Sequence, residues 1–180
     1  MSYLNTLMSR HNSVNRTSDD KLLGMVGHFP DVKASGRTWV HQTGAHVICR
    51  LVENSSGGTL AKGVAVTYEA GELLKKVDSE TGAAGVVDGF VDPFIPDANV
   101  PDGEHFLMII GGRCTAALAA AETFAVGDLV KSDASGLMTA CATKTTAGYC
   151  GVVLVATTTN SDPVEILVDL QESVNQGNQF

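Results

Sequence analysis

Charge and aromatic rings are both scarce in this chain. Charged residues make up 18% of its 180 and aromatics 6%, with 12 Lys and Arg against 20 Asp and Glu for a net charge of -8. A surface that grips a phosphate backbone needs clustered cations, and no basic run occurs. The small pair Lys75-Lys76 lies among Glu72, Asp78 and Glu80 and reads as a solvated face. Direct nucleic-acid binding is therefore not expected. One Trp and three Tyr leave too little ring surface for a sugar-stacking cleft served by paired carboxylates. The longest apolar runs are far too short to span a bilayer, so no membrane partner is expected. The opening Met1-Ser2-Tyr3-Leu4-Asn5 lacks the basic-then-apolar character of a signal segment, which predicts synthesis in a cytoplasm.

Reactive constellations are scarce too. The four cysteines, Cys49, Cys114, Cys141 and Cys150, form no Cys-x-x-Cys pair and match no zinc spacing. Buried or half-buried free thiols are the expectation. His41, His46 and Cys49 lie close in sequence, but with only a remote His105 to add they fall short of a convergent zinc set. A Cys49 nucleophile would need a histidine and an orienting acid or amide, and no local signature links them. Asp88, Asp92, Asp97 and Asp102 cluster near a proline-rich stretch without calcium-loop spacing. Gly-x-Gly-x-x-Gly is absent. The expectation is no catalytic residue, no metal and no cofactor.

What the chain does hold is 19 glycines and strand-like runs broken by turns every ten residues or so. Strands are predicted at 39–42, 45–52, 63–68, 72–77, 84–91 and 105–112, with a loop at Asn54-Ser55-Ser56-Gly57-Gly58 and turns at 69–71 and 79–82. This spacing predicts an all-β barrel or sandwich. It is built from two similar strand blocks. One contains Leu60-Ala61-Lys62-Gly63-Val64-Ala65-Val66, then Gly85-Val86-Val87, then His105-Phe106-Leu107-Met108-Ile109-Ile110. The other contains Phe124-Ala125-Val126-Gly127-Asp128-Leu129-Val130, then Gly151-Val152-Val153, then Val164-Glu165-Ile166-Leu167-Val168. The organisation read from this is an irregular N-terminal arm (1–38), a first block (39–115), a linker (116–123), a second block (124–170) and a polar tail (171–180).

Ala116 to Glu122 has high helix propensity but sits between strand blocks, so it reads as a linker, a single helical turn or part of a strand. In the arm, Ser18 or Asp19 is placed to cap a short helix over Asp20 to Met25. The arm is either a poorly ordered terminus or a segment that orders on a partner. Three prolines in 92–103 exclude a central strand there. Phe94 and Ile95 at its tip either contact a partner or tuck back onto their own core.

The second block, Ala125-Val126-Gly127-Asp128-Leu129-Val130-Lys131 with its Ser135-Gly136 turn, Gly148-Tyr149-Cys150-Gly151-Val152-Val153 and Val164-Glu165-Ile166-Leu167-Val168, resembles the small β-domains of tailed-phage head decoration (capsid cement) proteins. The likeness covers about 124–170 and, more faintly, 60–112. It implies a non-catalytic virion protein made in a host cytoplasm and carried on the outer surface of the head. It also implies a homo-oligomer, a trimer, that bridges and stabilises major capsid subunits. The contact residues expected from composition and position are Tyr3, Leu4, Leu7, Phe29 and Trp39 of the arm, with Phe94 and Ile95 of the loop. The alternative is a head-fibre or tail-associated β-module that binds host-surface glycans through the 92–103 loop.

Overall fold

The structure is a computed structural model that describes residues 23–30, 46–80, 85–95, 97–157 and 163–170. Over these residues the protein is all-β, and no helix is long and apolar enough to cross a membrane. The strands are β1 (Val26–Pro30), β2 (His46–Asn54), β3 (Leu60–Ala61), β4 (Ala65–Tyr68), β5 (Lys76–Glu80), β6 (Gly89–Val91), β7 (Asn99–Val100), β8 (His105–Ala116), β9 (Leu129–Ser132), β10 (Met138–Cys141), β11 (Tyr149–Val155) and β12 (Val164–Val168).

The pairings close two rings. In the first, β8 pairs β6, β6 pairs β4, β4 pairs β5, β5 pairs β2 in parallel, and β2 returns to β8. In the second, β8 pairs β12, β12 pairs β11, β11 pairs β9 and β9 pairs β10. A parallel bridge from Met138 to Leu118, just past β8, completes it. Closure leaves few free edges, which protects a strand-rich chain from edge-to-edge association. The long β8 ends the first ring and opens the second.

The two rings follow one plan, so the repeated block is a structural repeat as well as a sequence pattern. Gly63 N donates to Val91 O at 3.1 Å and Val91 N to Val64 O at 3.0 Å, while Gly127 N donates to Val153 O and Val153 N to Asp128 O, both at 2.9 Å. Both turn glycines have positive φ, 70° and 91°. Val66 lies opposite Gly89 as Val130 lies opposite Gly151. The counterpart of Gly151-Val152-Val153 is therefore Gly89-Phe90-Val91, not the Gly85-Val86-Val87 that the sequence offers. The reason is local crowding. A Cβ on Gly89 would stand 2.8 Å from the Ile109 carbonyl oxygen, and one on Gly151 would overlap the Leu167 carbonyl.

Two apolar cores result. One gathers Val52, Val66, Tyr68, Val77, Val91, Phe106 and Met108, closed by Leu60, Ile95 and Val100. The other gathers Cys49, Ala65, Phe90, Ile109, Cys114, Val130, Met138, Cys150, Val153 and Ile166. Because side chains alternate along a strand, β4, β6 and β8 feed both cores. They form a wall buried on both faces, as the all-buried β6 shows.

Several local expectations are corrected. Val26–Pro30, inside the stretch read as an irregular arm, is a strand paired with β2. The short helix over Asp20 to Met25 falls partly outside the described residues, and its end is a turn leading into β1. The strand expected at 72–77 begins at Lys76 and runs through Ser79 and Glu80, which had read as a turn. The strand expected over 84–91 is confined to Gly89–Val91. Of the readings left open for 116–122, part of a strand holds at its start: Ala116 ends β8, and Ala117 N donates to Gly63 O at 2.8 Å. Its small side chains suit that close approach, and tertiary pairing overrides propensity. The predicted strand at 39–42 lies outside the described residues.

Gly89→Ala and Gly151→Ala should each destabilise the fold by about 1–3 kcal/mol through overpacking. Gly58→Ala, with open space around it, should be near neutral. Urea midpoints of the three variants check this.

Candidate functional site

The end of the first ring carries the expected contact loop, and its position follows from a buried asparagine. Asn54 shares a face of β2 with Val52 and is fully buried. Its Nδ2 donates to the carbonyls of Gly58 and Val100, each at 2.9 Å. Its Oδ1 accepts from Ser56 N at 3.0 Å and Ser56 Oγ at 2.7 Å. Its backbone N donates to Glu104 O at 2.9 Å, and its O accepts from Gly103 N at 2.7 Å. A buried amide must satisfy its hydrogen-bonding groups to be tolerated. Here that requirement ties loop 54–58 to β7 and to the 101–104 turn. Asp102 adds a bond from Gly57 N at 2.8 Å.

The stretch 92–103 is anchored at both ends and displayed between them. Its β7 part pairs with β3, Leu60 opposite Val100. Asp92 Oδ1 accepts from Phe94 N at 2.9 Å, an Asx turn that fixes the start of the tip. The turn separates the two expected contacts: Phe94 is 38% exposed, and Ile95, at 5%, is packed into the first core. Asp97, Ala98 and Asn99 follow as exposed neighbours. Of the expected contact residues, the structure therefore presents Phe94 and withdraws Ile95 as a partner contact. Tyr3, Leu4, Leu7 and Trp39 lie outside the described residues, and Phe29 is placed only by its backbone, in β1 opposite Val47.

The ionisable groups are held in separate structural bonds. Asp88 accepts from Thr67 Oγ1 and Tyr68 N, both at 2.9 Å. Arg50 Nη1 donates to Tyr68 Oη at 2.6 Å. His105, buried, lies with Nε2 3.7 Å from Glu53 Oε2, and Lys76 Nζ lies 3.3 Å from Glu53 Oε1. Cys49 pairs with Ile109, four residues along β8 from His105, or roughly 13 Å. The strand register therefore keeps them apart. Among the described residues no three His, Cys, Asp or Glu side chains gather to hold a metal. Cys49, Cys114 and Cys150 are buried free thiols, and burial pushes all three well up from the usual thiol range. Cys141 is half-buried.

The sequence also missed apolar residues left at the surface. Leu73 and Leu74, each 41% exposed, occupy the turn before β5, with Leu74 at a φ of 70°. Val126, Val155 and Leu167 are exposed at 66%, 48% and 45% on the second ring. The only signal for them was apolar residues at both parities in β11 and β12, a pattern that strands buried on both faces share.

Asp92 yields a pH test. Burial pushes its carboxyl up to about 6, against the opposing pull of the Phe94 N–H and the Lys62 charge. The folded state thus holds this proton more tightly than the unfolded chain, whose Asp pKa is about 3.9. The contribution to stability is present below about pH 4 and is lost as pH rises through about 6. Asp92→Asn keeps the acceptor for Phe94 N and removes the ionisation. It should raise the urea midpoint at pH 7.5, on the order of 1–2 kcal/mol in stability, with little change at pH 4. An unchanged profile between pH 4 and 7.5 would count against the assignment.

Neither a family profile nor a curated protein matches the chain. Among solved structures it is similar to the head fiber gp8.5 N base in bacteriophage phi29, at 11% identity and a TM-score of 0.47, with 71% of this chain and 99% of that one covered.

Proposed function

We propose that this chain is a structural virion protein of a tailed phage. It decorates the outer surface of the head and stabilises contacts between major capsid subunits. The observation that carries the reading is a loop, anchored at both ends, on which the Phe94 side chain is 38% exposed. Phe94 is held out by the Asp92 turn while Ile95, Leu60 and Val100 root the loop in the core. Exposed aromatics on preorganised supports are the usual anchors of protein contacts. The sequence resemblance of the second block to capsid cement domains supplies the partner.

The chemistry supports a non-catalytic role. A nucleophilic cysteine works as thiolate in an accessible, electropositive setting, whereas Cys49 is buried with its pKa pushed upward. The Asp cluster near the loop is divided among separate turns rather than joined at one reacting centre. Repetition on a capsid lattice makes modest single contacts sufficient, because each attachment raises the effective concentration of the next. The glycan-binding alternative uses the same loop, with exposed Asp97 and Asn99 beside Phe94 as its polar groups.

Co-sedimentation with phage heads that lack the protein tests the reading. Saturable binding at a fixed ratio to the major capsid protein, with a raised thermal midpoint of the heads, is the expected result. Phe94→Ser should weaken it about 10- to 30-fold, as for loss of an aromatic anchor worth about 2 kcal/mol. Removing residues 1–22, which spares β1, reads the contribution of Tyr3, Leu4 and Leu7. A folded protein that ignores heads but binds host-surface glycans through Phe94 would replace this reading with the alternative.

A further inference from the structure

Because the two rings share one plan, a position in one has a counterpart in the other. In the first ring Val91 lies opposite Met108, and Met108 opposite Arg50. In the second the same row is Val153, Ile166 and Cys114. Cys114 is fully buried in its core. Arg50 shares the core-facing side of β2 with Val52 and Asn54, so the first ring carries a guanidinium where the second carries a small thiol. A second exchange stands beside it. Tyr68 lies two residues past Val66, where Ser132 lies two past Val130. The two larger side chains meet: Arg50 Nη1 donates to Tyr68 Oη at 2.6 Å, with the guanidinium carbon 5.8 Å from the ring centre.

The Arg50 charge is not neutralised by a paired acid. Arg50 is half-buried, and among the described residues no carboxylate forms an ion pair with it. Its Nε is buried without a hydrogen-bond acceptor among those residues. Asp88 is close enough for its charge to act on Tyr68, but its Oδ2 is taken by Thr67 Oγ1 and Tyr68 N. A guanidinium stays charged at every working pH, and a charge drawn out of water without a counter-charge is costly. The pair also has donors to spare. Tyr68 Oη accepts from Arg50, which leaves its own O–H proton to donate, and Arg50 keeps N–H groups beyond the one on Tyr68. Val26, opposite Arg50 on β1 and 44% exposed, sets the pair at the rim of the ring. We propose that Arg50 and Tyr68 form a binding site for one carboxylate group, entering past Val26. The guanidinium supplies charge and planar N–H donors, and the Tyr68 hydroxyl adds a further donor. The nearby Asp88 charge disfavours a doubly charged ligand, so a carboxylate fits better than a phosphate.

Titration of the full chain with sodium acetate, at an ionic strength held constant with sodium chloride, tests this without phage heads. The signal is the Arg50 Nε–H resonance, identified by its loss in Arg50→Met. The expected result is a saturable shift with its half-effect at roughly 1–50 mM, the range open to so small a ligand. Tyr68→Phe keeps the ring, removes the hydroxyl and should raise the half-effect concentration about tenfold. Acetate should also raise the thermal midpoint of the wild type and leave that of Arg50→Met unchanged. In chloride alone Arg50→Met should be the more stable protein, because it removes an unpaired charge from a position that the second ring fills with Cys114. A purely structural Arg50–Tyr68 clasp predicts the opposite, a loss of stability, and that result would overturn the proposal. So would an Nε–H signal indifferent to acetate, a saturable shift with phosphate but none with acetate, or an Arg50→Met midpoint that rises with acetate as the wild type's does.

Discussion

The structure depends on one wall that is buried on both sides. β4, β6 and β8 send alternate side chains into two different cores, with Val66, Val91 and Met108 on one side and Ala65, Phe90 and Ile109 on the other. Such strands gain apolar burial twice, at about 25 cal/mol per Å² on each face. They also leave no room for a misplaced methyl group. A Cβ on Gly89 would meet the Met108 side chain and the Ile109 carbonyl, and one on Gly63 would stand 2.8 Å from the Thr115 carbonyl. Gly63, Gly89 and Gly151 stand where backbones must approach.

β8 is what lets two small rings become one body. It is the closing strand of the first ring and, past Gly111 and Gly112, the opening strand of the second. The rings then differ in how they are finished. The first is sealed by β3, β7 and the Asn54 network, while the second has a shorter link where the first has residues 92–103. The first thus carries the displayed loop and the second the open wall, so the duplicated plan serves two kinds of surface.

Much of this was readable before any coordinates. Fold class and the doubled block follow from alternation and turn chemistry, which act over a few residues. What failed depended on partners distant in sequence. Gly85-Val86-Val87 looks more like Gly151-Val152-Val153 than Gly89-Phe90-Val91 does, yet the contact with Met108 decides the register. At 116–122 the sequence leaves a helical turn and part of a strand both open, and Gly63 as a partner decides for the strand at its start. Ile95 and Phe94 are neighbours of similar hydropathy, and only the Asp92 turn determines which one faces water. The outer wall went unnoticed because Val152-Val153 and Ile166-Leu167 carry apolar residues at both parities, a pattern that strands buried on both faces share.

That pattern carries physical content. A sequence pattern for double burial is a statement that both faces exclude water, and among the described residues it is satisfied for the first ring's wall. Leu167 sits where its counterpart, Ile109, is covered, and it and Val155 lie on strands too regular to fold them inward: turning one side chain in would turn its neighbours out. Water contact at these residues costs the isolated chain part of the burial that its pattern encodes.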